Sequence, residues 1–188
     1  MSLSNIEAVF DLLAILYLKV PDKELVNALS QMVPDGDLFL KDDIKTIQED
    51  YQALFIQSDS GRYLPPFESI ARSNGRVESH AKHVAAYFRE TGFDPKHLEV
   101  DPHWGKDLQV DHIGVEFAFL KVLLQNAQSA KDTRQGLIDS AKYFFEEHIC
   151  NWAADYGSRL TASAKTELYQ ALGRLTTAIA EPGFFKTK

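Results

Sequence analysis

A chain of 188 residues is long enough to bury a core without disulfide staples, and 45% hydrophobic against 25% charged residues is the balance of an ordinary soluble globular protein. Lys and Arg number 20 against 27 Asp and Glu, and the resulting charge of −7 argues against nucleic acid as a partner and for a cationic one. The single cysteine, Cys150, excludes an internal disulfide and fits a reducing compartment.

The opening Met1-Ser2-Leu3-Ser4-Asn5 lacks the basic stretch of a secretory signal, so a cytoplasmic location is expected. From Asn5 to Val20 the apolar residues Ile6, Val9, Phe10, Leu13, Leu16, Tyr17 and Val20 follow helical spacing, with Ser2 or Ser4 as cap and Pro21 as stop. The apolar run in this helix, Leu12 to Leu18, is far short of the roughly 20 residues of a membrane span, and none is expected. A second helix runs from Pro21-Asp22 to Met32 and ends at the turn Pro34-Asp35-Gly36. Asp42 to Ile56 is the third, with Ile44, Ile47, Tyr51, Leu54 and Phe55 in register.

Gln57 to Gly75 is loop-like in Ser, Gly, Pro and Asn, and Pro65-Pro66 forbids a continuous helix. Arg76 to Phe93 returns to helical period with Gly92 as C-cap, and a second long loop follows from Asp94 to Gln109. Then come a helix from Asp111 to Gln128, one bent helix or two from Asp132 to Leu160, and a last helix from Ala164 to Ile179 before Pro182-Gly183. No alternating run of strand length interrupts them. The expected fold is all-α, one compact multi-helix domain over residues 1–188 with two long functional loops.

Within the Asp111 helix, nine of the twelve residues from Ile113 to Leu124 are apolar, yet Glu116 sits among them. A buried carboxylate needs a partner or it neutralises, and His112 is one helical turn away. That spacing leaves a structural pair and a metal site equally open. A third and fourth ligand are missing from any local motif, so no metal is expected; a helical-bundle metalloenzyme using His112, Glu116 and His148 or His103 is the alternative. Phosphate-binding glycine loops are absent from the sequence, and Cys150 between Ile149 and Asn151 reads as a small core residue, so no catalytic residue is expected. Phe144, His148, Trp152 and Tyr156 are spaced by four and form one stripe, suited to a core or, through its polar tips, to a groove lining.

Four segments in order carry a resemblance: YQALF at 51–55, LPPFES at 64–69, DHIGVEFAFL at 111–120 and FFEEHICNW at 144–152. They resemble the TorD-like family of redox-enzyme maturation chaperones over about residues 5 to 180. The resemblance implies an all-helical cytoplasmic protein that performs no reaction and needs no cofactor. Such a chaperone binds the apo catalytic subunit of a molybdopterin-dependent enzyme of the dimethyl-sulfoxide-reductase type, often through its twin-arginine signal peptide. It holds that client until the cofactor is in place and delays export.

The family's Asp-His pair and following Glu fall on Asp111, His112 and Glu116, and its Pro-Pro-aromatic-Glu-Ser element falls on Pro65, Pro66, Phe67, Glu68 and Ser69. Two departures, Gln109 for a proline and Phe67 for a tyrosine, alter loop stiffness and remove a hydroxyl. Two guanidinium groups followed by an apolar stretch call for carboxylates beside an apolar groove. Asp111, Glu116 and Glu68 are expected to supply the first, and Phe67, Trp104 and Trp152 the second. Pro66, Ser69, His112 and His148 complete the expected client-binding set, with Glu116 held by His112. Both loops are expected to fold over the start of the Asp111 helix, with Glu68 and Trp104 at the rim of a cleft and Asp111 either facing arginine or capping its own helix.

Overall fold

A computed structural model of the chain describes residues 2–32, 36–73, 77–105, 108–181 and 183–185. All regular structure among them is helical: α1 (Leu3–Leu18), α2 (Lys23–Met32), α3 (Ile44–Tyr51), α4 (Glu68–Ala71), α5 (Val77–Thr91), α6 (Ile113–Ser129), α7 (Arg134–Phe144), α8 (Ala153–Ser163) and α9 (Glu167–Ile179). Short 3-10 turns cover Gly36–Lys41 and Pro95–His97. No helix among the described residues is long and apolar enough to cross a membrane.

The predicted helices are present with their ends adjusted. Ser2 caps α1 by accepting from the Asn5 amide, and Asp43 caps α3 by accepting from that of Thr46. Gly92, at φ 72°, takes the left-handed position that ends α5. Part of the Pro34-Asp35-Gly36 turn, Arg76 and Pro182 lie outside the described residues. The third helix continues past Tyr51 as a π-helical turn over Gln52–Ile56. Asp132 to Leu160 is two helices rather than one, because α7 runs into a π-helical turn at Phe145–Ile149 and the chain breaks before α8. Asn151 donates to the Glu146 and Glu147 carbonyls at 3.1 and 2.7 Å, and the Trp152 indole donates to the His148 carbonyl at 2.5 Å. Side chains thus take the carbonyls that a continuing helix would have bonded.

Two helix pairs frame the core. α1 lies along α6, burying Ile6, Phe10, Leu13 and Tyr17 against Phe117, Leu120 and Leu124, with the Phe10 and Phe117 rings stacked at 5.9 Å. Gly114 lets the start of α6 meet the end of α1, since a Cβ there would lie 2.7 Å from Leu18 Cγ. α8 and α9 approach through Gly157 and Gly173, where an added Cβ on either would sit 2.6 Å from the other's carbonyl oxygen. The predicted loop 57–75 carries the one-turn α4 in its second half. Both long connections return to the first turn of α6.

Candidate functional site

The Pro-Pro segment runs antiparallel to the entry of α6 and pairs with it. Ile113 donates its amide to the Pro66 carbonyl at 2.8 Å, Glu68 donates to the Asp111 carbonyl at 3.0 Å, and Phe67 and His112 form the bridge between them. From the other loop, Trp104 lays its ring 4.4 Å from that of His112, and Phe67 meets both. The expectation that the two loops converge on the start of this helix holds. Glu68 and Trp104 do not form an exposed rim, however, because both are buried. The Trp104 indole donates to the Tyr51 hydroxyl at 2.7 Å, so its polar edge is satisfied inside the core.

His112, not Asp111, is the N-cap of α6, its Nδ1 accepting from the Gly114 amide at 3.1 Å. Burial holds the imidazole neutral, its pKa lowered to about 3. Asp111 instead reaches across to the first turn of α4, where its Oδ2 accepts from the Ser69 amide at 2.9 Å. It caps a helix other than its own. The expected His112–Glu116 pair is not formed: the His112 Nδ1 is spent on the cap, its Nε2 has no partner, and the carboxyl of Glu116 turns to Glu68 instead.

Glu116 points toward Glu68 and His148. Glu68 Oε2 accepts from His148 Nδ1 at 2.8 Å, and its Oε1 takes the Arg72 guanidinium, which also donates to the Glu147 carbonyl at 3.0 Å. His80 Nδ1 lies 3.7 Å from the same Oε1, and the Tyr87 hydroxyl donates to Glu147 Oε2 at 3.2 Å. Burial, reinforced by the charges of Glu68 and Asp111, pushes the Glu116 pKa well above the usual carboxylate range. Its neutral form is the favoured one when no cation is near. Glu68, Glu116 and His148 bring three donor atoms within 4.8 Å of one another, which makes them, among the described residues, the group able to hold a metal ion.

The remaining expected residues are inside the protein. His148 and Trp152 are buried, His148 against the rings of Phe144 and Tyr87 at 4.7 and 5.6 Å, so the stripe lines the core. His103 is half-exposed beside Asp101 and takes no part in the cluster, so the ligand set of His112, Glu116 and His103 is not assembled. Burial and Glu146 raise the Cys150 thiol to about 11, which leaves little thiolate for nucleophilic chemistry near neutral pH. Arg72, His80, Tyr87 and Glu147 were missed. Arg72 stands four residues after Glu68 and was legible as its helical partner; the other three meet Glu68 or one another only through the fold.

Residues 18–156 match the family model described as nitrate reductase delta subunit, a span that includes both loops, the Asp-His entry of α6 and the π-helical turn at His148. No curated protein matches the chain. Among solved structures, it is similar to a crystal structure of a "putative redox enzyme maturation protein" from Archaeoglobus fulgidus. The two share 19% identity over 93% of this chain and 92% of that one, with a TM-score of 0.57, a likeness of fold. With the family model covering most of its length and the all-α maturation-protein fold in place, the chain belongs to the nitrate reductase delta subunit family, the TorD-like redox-enzyme maturation chaperones that its ordered motifs resemble.

Proposed function

We propose that residues 1–188 act as one chaperone domain in the cytoplasm, binding the apo catalytic subunit of a molybdopterin-dependent enzyme of the dimethyl-sulfoxide-reductase type together with its twin-arginine signal peptide. The protein catalyses nothing; it holds the client until the cofactor is inserted and delays export. The observation that carries this reading is the surplus of carboxylate where the two loops meet. Glu68 holds the Arg72 guanidinium with the carboxyls of Glu116 and Asp111 close by, and the whole chain is acidic. Arg72 also supports the mode of recognition, since a guanidinium fits between the Glu68 carboxylate and the Glu147 carbonyl.

Because Glu68 is buried, a client arginine reaches it by displacing Arg72. The side chains of Arg72 and His80 are 25% and 21% exposed and mark the entry. Ile70, 45% exposed on α4, offers an apolar contact beside that entry for the stretch that follows the arginines. The test is to purify the protein from its native cells, identify the bound subunit, and titrate that subunit's leader peptide with Arg-Arg or with Lys-Lys at the twin position. Loss of a charge-assisted bidentate contact is expected to weaken binding roughly tenfold or more, and Glu68→Gln to do the same. Recovery of no molybdopterin-binding subunit, or equal affinity for the Lys-Lys peptide, would overturn the proposal.

A further inference from the structure

Three segments far apart in the chain each deliver one donor to a single buried point: Glu68 from α4, Glu116 from α6 and His148 from the π-helical turn after α7. All three side chains are closed to solvent, and an oxygen of each carboxylate and a ring nitrogen of His148 lie within 4.8 Å of one another. Hydrogen bonding within the described residues does not account for the arrangement. Asp111 serves the Ser69 amide and Glu68 takes Arg72 and His148; the neutral carboxyl of Glu116 has only Glu68 to bond, and the Nε2 of His148 has no partner. Two carboxyls and an imidazole held this close and closed to solvent are a donor set that a cation completes by displacing the Glu116 proton.

We infer that Glu68, Glu116 and His148 form a binding site for a divalent first-row transition ion. Two carboxylate oxygens with one imidazole nitrogen suit manganese, iron or zinc better than magnesium, whose sites are all oxygen, or copper(I), whose sites are sulfur-rich. Donors around a tetrahedral ion with ~2.1 Å bonds sit roughly 3.4 Å apart, so the three atoms need close by no more than about 1.4 Å. His80, beside Glu68 Oε1, is the nearest further donor. Arg72 competes for Glu68 but is a quarter exposed, so it can turn to solvent as the ion enters. An ion held there ties α4, and with it the Pro-Pro loop, to α6 and to the π-helical turn. The site goes beyond the client-binding reading and stands whether or not client arginines reach Glu68.

The test uses the purified full chain, stripped with chelator and dialysed separately against Zn2+, Mn2+ and Mg2+, with retained metal counted after desalting and the melting temperature recorded for each. Near one equivalent of Zn2+ or Mn2+ is expected, with a raised melting temperature and no retained Mg2+, and Co2+ is expected to show visible bands from nitrogen and oxygen ligation. Glu116→Gln preserves shape and is expected to lower affinity roughly tenfold or more while the metal-free variant still melts cooperatively. Arg72→Gln removes only the competing cation and is expected to bind at least as tightly as the unaltered protein. The inference is overturned if the unaltered protein retains no transition ion and gives no cobalt spectrum, or if Glu116→Gln binds as well as it does.

Discussion

Two carboxylates, Asp50 and Glu116, are buried to nearly the same degree and treated in opposite ways. Asp50 pairs with Arg62 and accepts from the Lys165 amide, the Thr166 amide and the Thr166 hydroxyl, each at 2.9 Å, so it ties α3 to the start of α9. Every bond its charge needs is made. Among the described residues, Glu116 has two other carboxylates nearby, no cation in contact and no backbone amide on either oxygen, and its neutral carboxyl has only Glu68 to bond. Native proteins leave few buried polar groups unpaired, so the contrast separates a carboxylate kept for the fold from one kept for something that the fold alone does not supply.

The comparison breaks most visibly at Asp50. Asp50→Ala strands Arg62 and two backbone amides, and removing one partner of a buried ion pair is expected to cost about 3–5 kcal/mol in urea unfolding at neutral pH. A loss under about 1 kcal/mol would show that Asp50 is no better anchored than Glu116. The pH dependence sharpens the contrast from another side. His112 has a folded pKa of about 3, below its usual 6.5, so its contribution is intact above 6.5 and is lost as pH falls toward 3. At pH 5 the expected loss from this group is on the order of 2 kcal/mol. His112→Asn keeps a capping side chain and should flatten the acid limb of a stability profile; an unchanged limb would refute the assignment.

Glu116 runs the other way. Its folded pKa is raised, so its contribution is fully present below the usual carboxylate range and is lost as pH rises through the folded value. Glu116→Gln removes that loss, and metal-free protein is expected to be equally stable or about 1–2 kcal/mol more stable at neutral pH. Thermal denaturation that shows Glu116→Gln as damaging as Asp50→Ala would end the distinction. The smallest effect belongs to Asp111→Asn. The amide oxygen still accepts from Ser69, so stability should move by less than about 1 kcal/mol. Should the charge meet a client arginine, leader-peptide affinity would fall roughly tenfold at low salt. Unchanged affinity would leave Asp111 as the cap of α4 alone.

Much of the helix map was legible because apolar spacing, prolines and capping residues act over a few residues. Pro21 and Gly92 end helices where their backbone preferences require, and Pro65-Pro66 keeps its segment extended. The π-helical turns were not legible. An i+4 stripe from Phe144 to Tyr156 fits one bent helix or two, and only the capture of the Glu146, Glu147 and His148 carbonyls by Asn151 and Trp152 shows where it breaks. The site was half legible: the motif segments meet at the start of α6 as expected, yet spacing within α6 assigned His112 to Glu116, a pair that is not formed. The partners that matter are 42 residues away for Asp111 and 80 for Glu68.

The sequence by itself determined the all-α class, the cap of α1, the two loops and the family, because each rests on local backbone preference or on ordered short motifs. Tertiary structure alone decided which polar groups meet. Folding the Pro-Pro segment against α6 gave Asp111 to Ser69, turned His112 into a cap, and set Glu68 between Arg72 and His148. Whether a buried charge is satisfied depends on what other segments bring within about 3 Å, and no periodicity in one segment records that.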